Sequence, residues 1–64
     1  MIAEVATITR KDGSVSRFGR ERGRKAFVAL DPATAALGLS FSRRKLEERP
    51  SMDRNVTGVR FEKT

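Results

Sequence analysis

The chain has 64 residues, contains neither cysteine nor histidine, and carries a net charge of +6. This length allows one domain with a marginal core, so residues 1–64 are predicted to form a single small basic domain. The lack of cysteine excludes disulfides and thiolate metal sites, and no apolar run approaches the roughly 20 residues that span a bilayer. We therefore expect a cytoplasmic protein without membrane association, and a homodimer is one way to complete its small core.

The first part of the chain is predicted to be a β-hairpin. Residues 2–10 are rich in β-branched side chains, which favours a strand, although neither alternating face is cleanly apolar. Asp12-Gly13 then gives a strong hairpin signal, because both residues tolerate a positive φ. Residues 14–18 supply the returning strand.

A dense basic segment, RFGRERGRK, follows at residues 17–25. Residues 10–25 hold seven basic and two acidic side chains, which is nearly the whole positive excess of the chain. Arg20, Arg22 and Arg24 alternate, so an extended backbone would place all three on one face. If Gly19 and Gly23 make turns, or if the segment is a solvated loop, the arginines point in different directions.

A third strand and a helix are predicted next. Residues 25–30 have the length and apolar character of a strand. Asp31-Pro32 then predicts a helix start, because Asp is a common cap and Pro at the first helical position loses only an unpaired amide. This helix would cover residues 32–37 and end at Gly38.

Two continuations are open after Gly38. In the preferred one, residues 39–42 cross as an extended piece and a second helix runs from near Ser42 to Arg49. In the other, one helix passes through Gly38 to Arg49, at a cost of about 1 kcal/mol. Pro50 is expected to end the segment in either case, because the residue before a proline is pushed out of the α region.

Residues 56–63 are predicted to form the last strand, with Val59 and Phe61 facing the core and Gly58 marking either a bulge or a close backbone approach. The predicted fold class is therefore α+β. A small antiparallel sheet would consist of the N-terminal hairpin, the third strand and the C-terminal strand, with one or two short helices packed on one face.

The residue types argue against catalysis. Without histidine and cysteine, the commonest general base and the best side-chain nucleophile are both missing. The glycines do not match a phosphate-binding loop, and the carboxylates do not have the spacing of a calcium loop. We expect no enzyme activity, no cofactor and no metal site.

The basic residues instead predict a nucleic-acid-binding protein with an accessory or regulatory role, such as transcription regulation, with DNA favoured over RNA. Arginine's donor fork suits phosphate oxygens, and neutralised phosphates release counterions. Phe18 would either stack on a base or belong to the core. The predicted contacts are Arg10, Lys11, Arg17, Arg20, Arg22, Arg24, Lys25, Arg43 and Arg44.

Other interpretations remain open for the same residues. A protein-binding inhibitor or adaptor module could dock on an acidic partner surface with these arginines, or offer a strand edge. The basic segment could also be a solvated surface. In the second helix, Arg43 and Arg44 have Glu47 and Glu48 at i+4, which would pair with them as ordinary surface ion pairs.

Overall fold

A computed structural model describes the backbone of residues 1–64 and the side chains of residues 1–32 and 35–64. Five antiparallel strands form one sheet in the order β4-β3-β2-β1-β5. The elements are β1 (Ile2–Arg10), β2 (Val15–Glu21), β3 (Ala26–Ala29), α1 (Pro32–Ala35), β4 (Ser40–Ser42), α2 (Arg43–Glu47), α3 (Arg49–Met52) and β5 (Val56–Lys63). The α+β prediction is confirmed. None of the described helices is long and apolar enough to cross a membrane.

The β1–β2 hairpin forms at Asp12-Gly13, as predicted, but its turn differs from the expected type. Within this turn, Gly13 has a positive φ of 87°, but Asp12 does not have a positive φ. The loop has three residues, because the Arg10 amide donates to the Ser14 carbonyl oxygen at 3.0 Å. The Ser14 amide donates to Asp12 Oδ1 at 2.8 Å. This three-residue form, with a glycine in the left-handed region, is a common hairpin alternative to the two-residue turn.

The sheet buries the even-numbered side chains of β1, which resolves the uncertainty about its faces. Ala6 and Ile8 are buried, with Phe18, Phe27, Ala29, Leu46 and Val56 as the other buried apolar residues. The rings of Phe27 in β3 and Phe61 in β5 meet edge to face, with centroids 5.6 Å apart. Two strands separate β3 from β5, so a flat sheet would hold these residues about 14 Å apart. The sheet is therefore strongly curled around its core, and small Ala6 leaves room for the rings.

The preferred continuation after α1 is confirmed. The helix is shorter than predicted, since it ends at Ala35, but Gly38 does take a left-handed conformation with φ 67°. An extended piece then forms the short strand β4. Ser42 caps α2, because its Oγ accepts a hydrogen bond from the Lys45 amide at 3.2 Å.

The prediction that Pro50 ends the helical segment is wrong. Pro50 lies in the first turn of α3, where the missing amide has no helical acceptor to lose. The segment breaks instead at Glu48, which is both the C-cap of α2 and the N-cap of α3. These two helices contact β4 and β5, and Leu46 from α2 enters the core, so they cover one face of the sheet.

The last strand has the predicted bounds and orientation. Val59 and Phe61 are half-buried against the core. The register between β1 and β5 shifts after the Thr9–Gly58 pair, since Arg10 pairs with Val56, so Thr57 is an extra residue. The expected bulge is therefore present immediately beside Gly58.

Candidate functional site

The sheet has a second face, opposite α2 and α3, which we call the open face. It carries the odd-numbered side chains of β1 and their cross-strand neighbours. Thr7 lies between Arg17 of β2 and Arg60 of β5, and both arginines are exposed. Its apolar residues include Val5, Val28 and Leu30. Ile2 joins them despite its even number, because the strand register shifts between Ile2 and Glu4.

Gly19 lies at the centre of the open face, between Val5 and Val28 in the strand register. A Cβ atom at this position would lie 2.8 Å from Leu30 Cδ2 and 3.0 Å from Ile2 Cδ1. The leucine and isoleucine side chains therefore lie directly over the glycine backbone. Leu30 and Ile2 thus form an apolar floor at the centre of this face, and the charged side chains lie around it.

A shallow groove of about 370 Å³ crosses the open face. Val5 and Thr7 lie at its base, with Arg17 and Leu30 along one side and Glu62, Lys63 and Thr64 along the other. Arg17 also borders a neighbouring groove of about 270 Å³ with Val15 and Asp31. A guanidinium at the border of two grooves can reach a ligand lying in either.

The β2–β3 turn brings two further arginines to this side. Gly23 has φ 84°, and the Arg24 amide donates to the Glu21 carbonyl oxygen at 3.0 Å, so the basic segment turns here rather than staying extended. Arg22 borders a groove of about 270 Å³ beside Ile2, and Arg24 borders one of about 390 Å³ beside Val28. The ion pairs of Glu4, Glu21, Glu47, Glu48 and Glu62 are made with cations other than Arg17, Arg22 and Arg24.

Arg20 does not share a face with Arg22 and Arg24. It lies on the helix-covered face, where its Nε donates to Glu4 Oε1 at 3.3 Å and its Nη1 donates to the Arg24 carbonyl oxygen at 2.9 Å. The three arginines could share one face only if the segment stayed extended, and the turn at Gly23 prevents this. Arg20 instead ties the β2–β3 turn to the centre of the sheet.

Glu4 is the buried charge of this protein, with a side chain only 4% exposed. Arg43 Nη1 donates to its Oε2 at 2.6 Å, and Arg20 occupies the other oxygen. The hydrogen bond from Arg43, aided by Arg20, holds the pKa of Glu4 below its usual value. Donation of this hydrogen bond to Glu4 in turn raises the pKa of Arg43. Arg43 also lies 4.3 Å from the centroid of the Phe61 ring, so it closes the core at this edge.

The remaining predicted contact residues lie away from the open face. Arg44 Nε pairs with Glu48 Oε1 at 3.2 Å on α2, and Arg43 Nε pairs with Glu47 Oε1 at 3.1 Å, so both expected i+4 pairs are present. Arg10 and Lys11 lie at the β1–β2 turn, at the other end of β1 from Arg22. Lys25 is exposed in the β2–β3 turn. The nine predicted residues therefore do not form one patch.

Phe18 belongs to the core. It is buried, and its ring meets that of Phe41 edge to face with centroids 5.5 Å apart. All four phenylalanines pack on the helix-covered face. The open face therefore presents no aromatic ring on which a base could stack.

Two features of the site were not predicted from the sequence. Arg60 and Lys63 lie outside the basic segment, yet Lys63 borders the main groove, and Arg60 lies on the open face directly across β1 from Arg17. Glu4 was not recognised as an internal ion-pair acceptor. Its alternation with Ala6 and Ile8 was the available signal, since a carboxylate on a buried face needs cationic partners.

Within the part of the chain whose side chains are described, no group of three acidic residues is placed to hold a metal ion. Comparisons of this chain with protein-family models, with curated proteins and with solved structures each find no match.

Proposed function

We propose that this protein binds the phosphate backbone of nucleic acid through its open face, as a non-catalytic accessory or regulatory protein, with DNA as the favoured ligand and transcription regulation as the favoured role. The observation that carries the proposal is the arrangement of Arg17, Arg22 and Arg24, which border open-face grooves and are not among the cations that pair with Glu4, Glu21, Glu47, Glu48 or Glu62. Guanidinium groups that are not neutralised by the protein itself are available for phosphate oxygens.

The chemistry of this face supports backbone contacts rather than base recognition. Its apolar side chains are aliphatic, so they offer no ring for stacking on bases. Arginines on one strand and its following turn, at one surface, can neutralise several phosphates at once. The resulting affinity would depend strongly on salt and little on sequence.

The test compares two triple variants in fluorescence anisotropy titrations with labelled duplex DNA, duplex RNA and single-stranded DNA. In the first, Arg17, Arg22 and Arg24 are replaced by alanine. In the matched control, the exposed cations Arg44, Lys45 and Arg54 are replaced instead. Both changes lower the net charge from +6 to +3, so the pair separates location from total charge.

We expect the open-face variant to lose affinity and to flatten the plot of log K against log salt by about two to three units, at about 0.9 per lost phosphate contact. The control variant should keep most of the wild-type slope of log K against log salt. Equal losses in the two variants would mean that only overall charge matters. An absence of binding by the wild-type protein at about 50 mM salt would refute the proposal, because screening is weak there.

A protein partner with an acidic surface is the second candidate, and the apolar floor of the open face favours it. Ile2, Val5, Val28 and Leu30 stand inside a border of arginines, and interfaces between proteins combine an apolar centre with a polar margin in this way. Replacing Leu30 by Ser separates the two candidates. It should weaken a protein complex strongly and change the salt slope for DNA very little.

A further inference from the structure

The strand β5 lies at one edge of the sheet and is unpaired on its outer side in the described structure. It spans eight residues, Val56–Lys63, and pairs only with β1, whereas the strand at the other edge, β4, has three residues. A long edge strand leaves a row of backbone donors and acceptors that can pair with another strand. The β5 edge is therefore the place on this fold where a further strand would add.

The hydrogen bonding of β5 fixes which of its backbone groups point outward. The Thr64 amide donates to the Ala3 carbonyl oxygen at 3.0 Å, so the backbone at position 64 faces β1. Backbone groups alternate direction along an extended strand, so positions 62 and 60 also face β1. The N–H and C=O groups of Val59, Phe61 and Lys63 therefore face outward.

These outward groups are spaced for pairing with the same three residues of another copy. If the second β5 runs antiparallel with its Phe61 opposite Phe61, then Val59 faces Lys63 of the second copy, and Lys63 faces Val59. Each such pair exchanges two backbone hydrogen bonds, which makes about six in all. A contact of this kind uses the same surface on both copies and closes after two chains.

The charged side chains select this register over its neighbours. In the register centred on Phe61, Arg60 lies opposite Glu62 of the second copy, twice across the interface, in closely spaced positions on the open face. A shift by two residues one way places Arg60 opposite Arg60, and a shift the other way places Glu62 opposite Glu62. Like charges directly opposite each other destabilise a strand pair, and opposite charges stabilise it.

We propose that two copies of this chain associate through antiparallel pairing of their β5 strands, centred on Phe61, to form a continuous ten-stranded sheet. In the single chain, Arg60 Nε already lies 3.2 Å from Glu62 Oε1, with both side chains largely exposed, so the two charges are held side by side at the edge. The symmetry axis of such a pair runs perpendicular to the sheet. Both open faces therefore lie on the same side of the dimer. This association is independent of what the open face binds.

Charge reversal provides the sharpest test, with oligomeric state measured by sedimentation equilibrium over a range of protein concentrations. We expect the wild-type chain to dimerise. Each single variant, R60E or E62R, should dimerise at least about tenfold more weakly than the wild type, because two attractive pairs become repulsive. The double swap, R60E with E62R in one chain, restores opposite charges and should recover the dimer. Mixing the two single variants should give a heterodimer, since each then meets the opposite charge.

A second pair of variants tests the backbone hydrogen bonds directly. K63P removes the outward amide of β5 and keeps the amides that face β1, and an edge strand tolerates proline at such a position. K63A removes the same side chain and keeps the amide, so it is the matched control. K63P should weaken the dimer and K63A should not, with circular dichroism reporting that both remain folded.

Three results would overturn the proposal. The first is a wild-type chain that stays monomeric up to about millimolar concentration, where even weak specific pairing is populated. The second is a dimer whose stability is the same in R60E and in the wild type. The third is a dimer whose Val59, Phe61 and Lys63 amides exchange with solvent as fast as they do in dilute monomer. Since none of these measurements involves nucleic acid, they do not depend on the outcome for the open face.

Discussion

Replacing Leu46 by alanine should remove much of the stability of this protein. Leu46 is 1% exposed and is the buried residue of α2, so it anchors that helix to the curled sheet. Truncation of a fully buried leucine costs about 2–5 kcal/mol, as lost burial plus a residual cavity. Since α2 has only five residues and can shift inward to fill part of the space, we expect about 2–4 kcal/mol.

That loss is large relative to the total free energy of unfolding of the protein. A 64-residue domain has a free energy of unfolding of roughly 3–10 kcal/mol. In a domain this small, 1 kcal/mol corresponds to about 4–8 °C in melting temperature, so a loss of about 2–4 kcal/mol should lower the melting temperature of the variant by about 8–32 °C. The helix also carries Arg43, so its loosening should free one of the two cations on Glu4.

Thermal and urea unfolding followed by circular dichroism measure this effect. The control is M52A, which truncates an apolar side chain of α3 that is 65% exposed and should change stability by less than about 0.5 kcal/mol. If L46A and M52A unfold alike, α2 is not packed on the sheet as described, and the separation of a helix-covered face from an open face fails with it.

Two further predictions concern the first hairpin and the buried ion pairs. Gly13→Ala should cost about 1–2 kcal/mol because φ is 87° there, whereas Gly58→Ala, with open space around its added Cβ, should be neutral or slightly stabilising in the same unfolding assay. Arg43 lowers the pKa of Glu4, so the ionised carboxylate stabilises the fold above its ordinary pKa near 4.5, and that stability is lost as the pH falls through the lowered value. Melting temperatures between about pH 2 and pH 7 should therefore fall less steeply in Glu4→Gln than in the wild type, and parallel curves would contradict the assignment.

The sequence predicts the strands well because their signals are local. β-branched residues, the Asp-Gly turn and the Asp31-Pro32 boundary each depend on a few neighbouring residues, and β5 falls within the predicted bounds. The Pro50 error has the same local origin. The rule for the residue before a proline was applied to one continuing helix, whereas a new helix can begin with the proline in its first turn.

It was harder to predict which side chains lie on which face of the sheet, because a difference of one residue in the length of a turn decides this. A two-residue loop at Asp12-Gly13 would place Glu4 opposite Glu21, whereas the three-residue loop places it opposite Arg20. A slip of one residue changes every cross-strand partner, and with it the assignment of each arginine to a surface. Charge pairing was the missing argument, since an acid facing an acid on a buried face is the poorer register.

The basic segment was found from its composition, but composition alone could not show which of its arginines lie on which face of the sheet. Gly23 takes the left-handed conformation, which only the folded hairpin reveals, and this turn sends Arg22 and Arg24 to the borders of the open face. The β1–β2 register, in contrast, places Arg20 opposite Glu4 on the helix-covered face. Arg60 lies 43 positions after Arg17 in the sequence, and only the β1–β2 and β1–β5 pairings make them neighbours of the same Thr7.

The division of arginines between the two faces links the proposed function to the proposed dimer. On the helix-covered face, carboxylates neutralise Arg20, Arg43 and Arg44, so those residues stabilise the fold and add little free charge. Arg17, Arg22 and Arg24, which do not pair with these carboxylates, border the open face, and pairing of two β5 strands would place two such faces on the same side of the dimer. A dimer would then neutralise twice as many phosphates as a monomer, so the salt slope of K63A on a long duplex should be about double that of K63P, which lacks the same side chain and also loses the dimer contact.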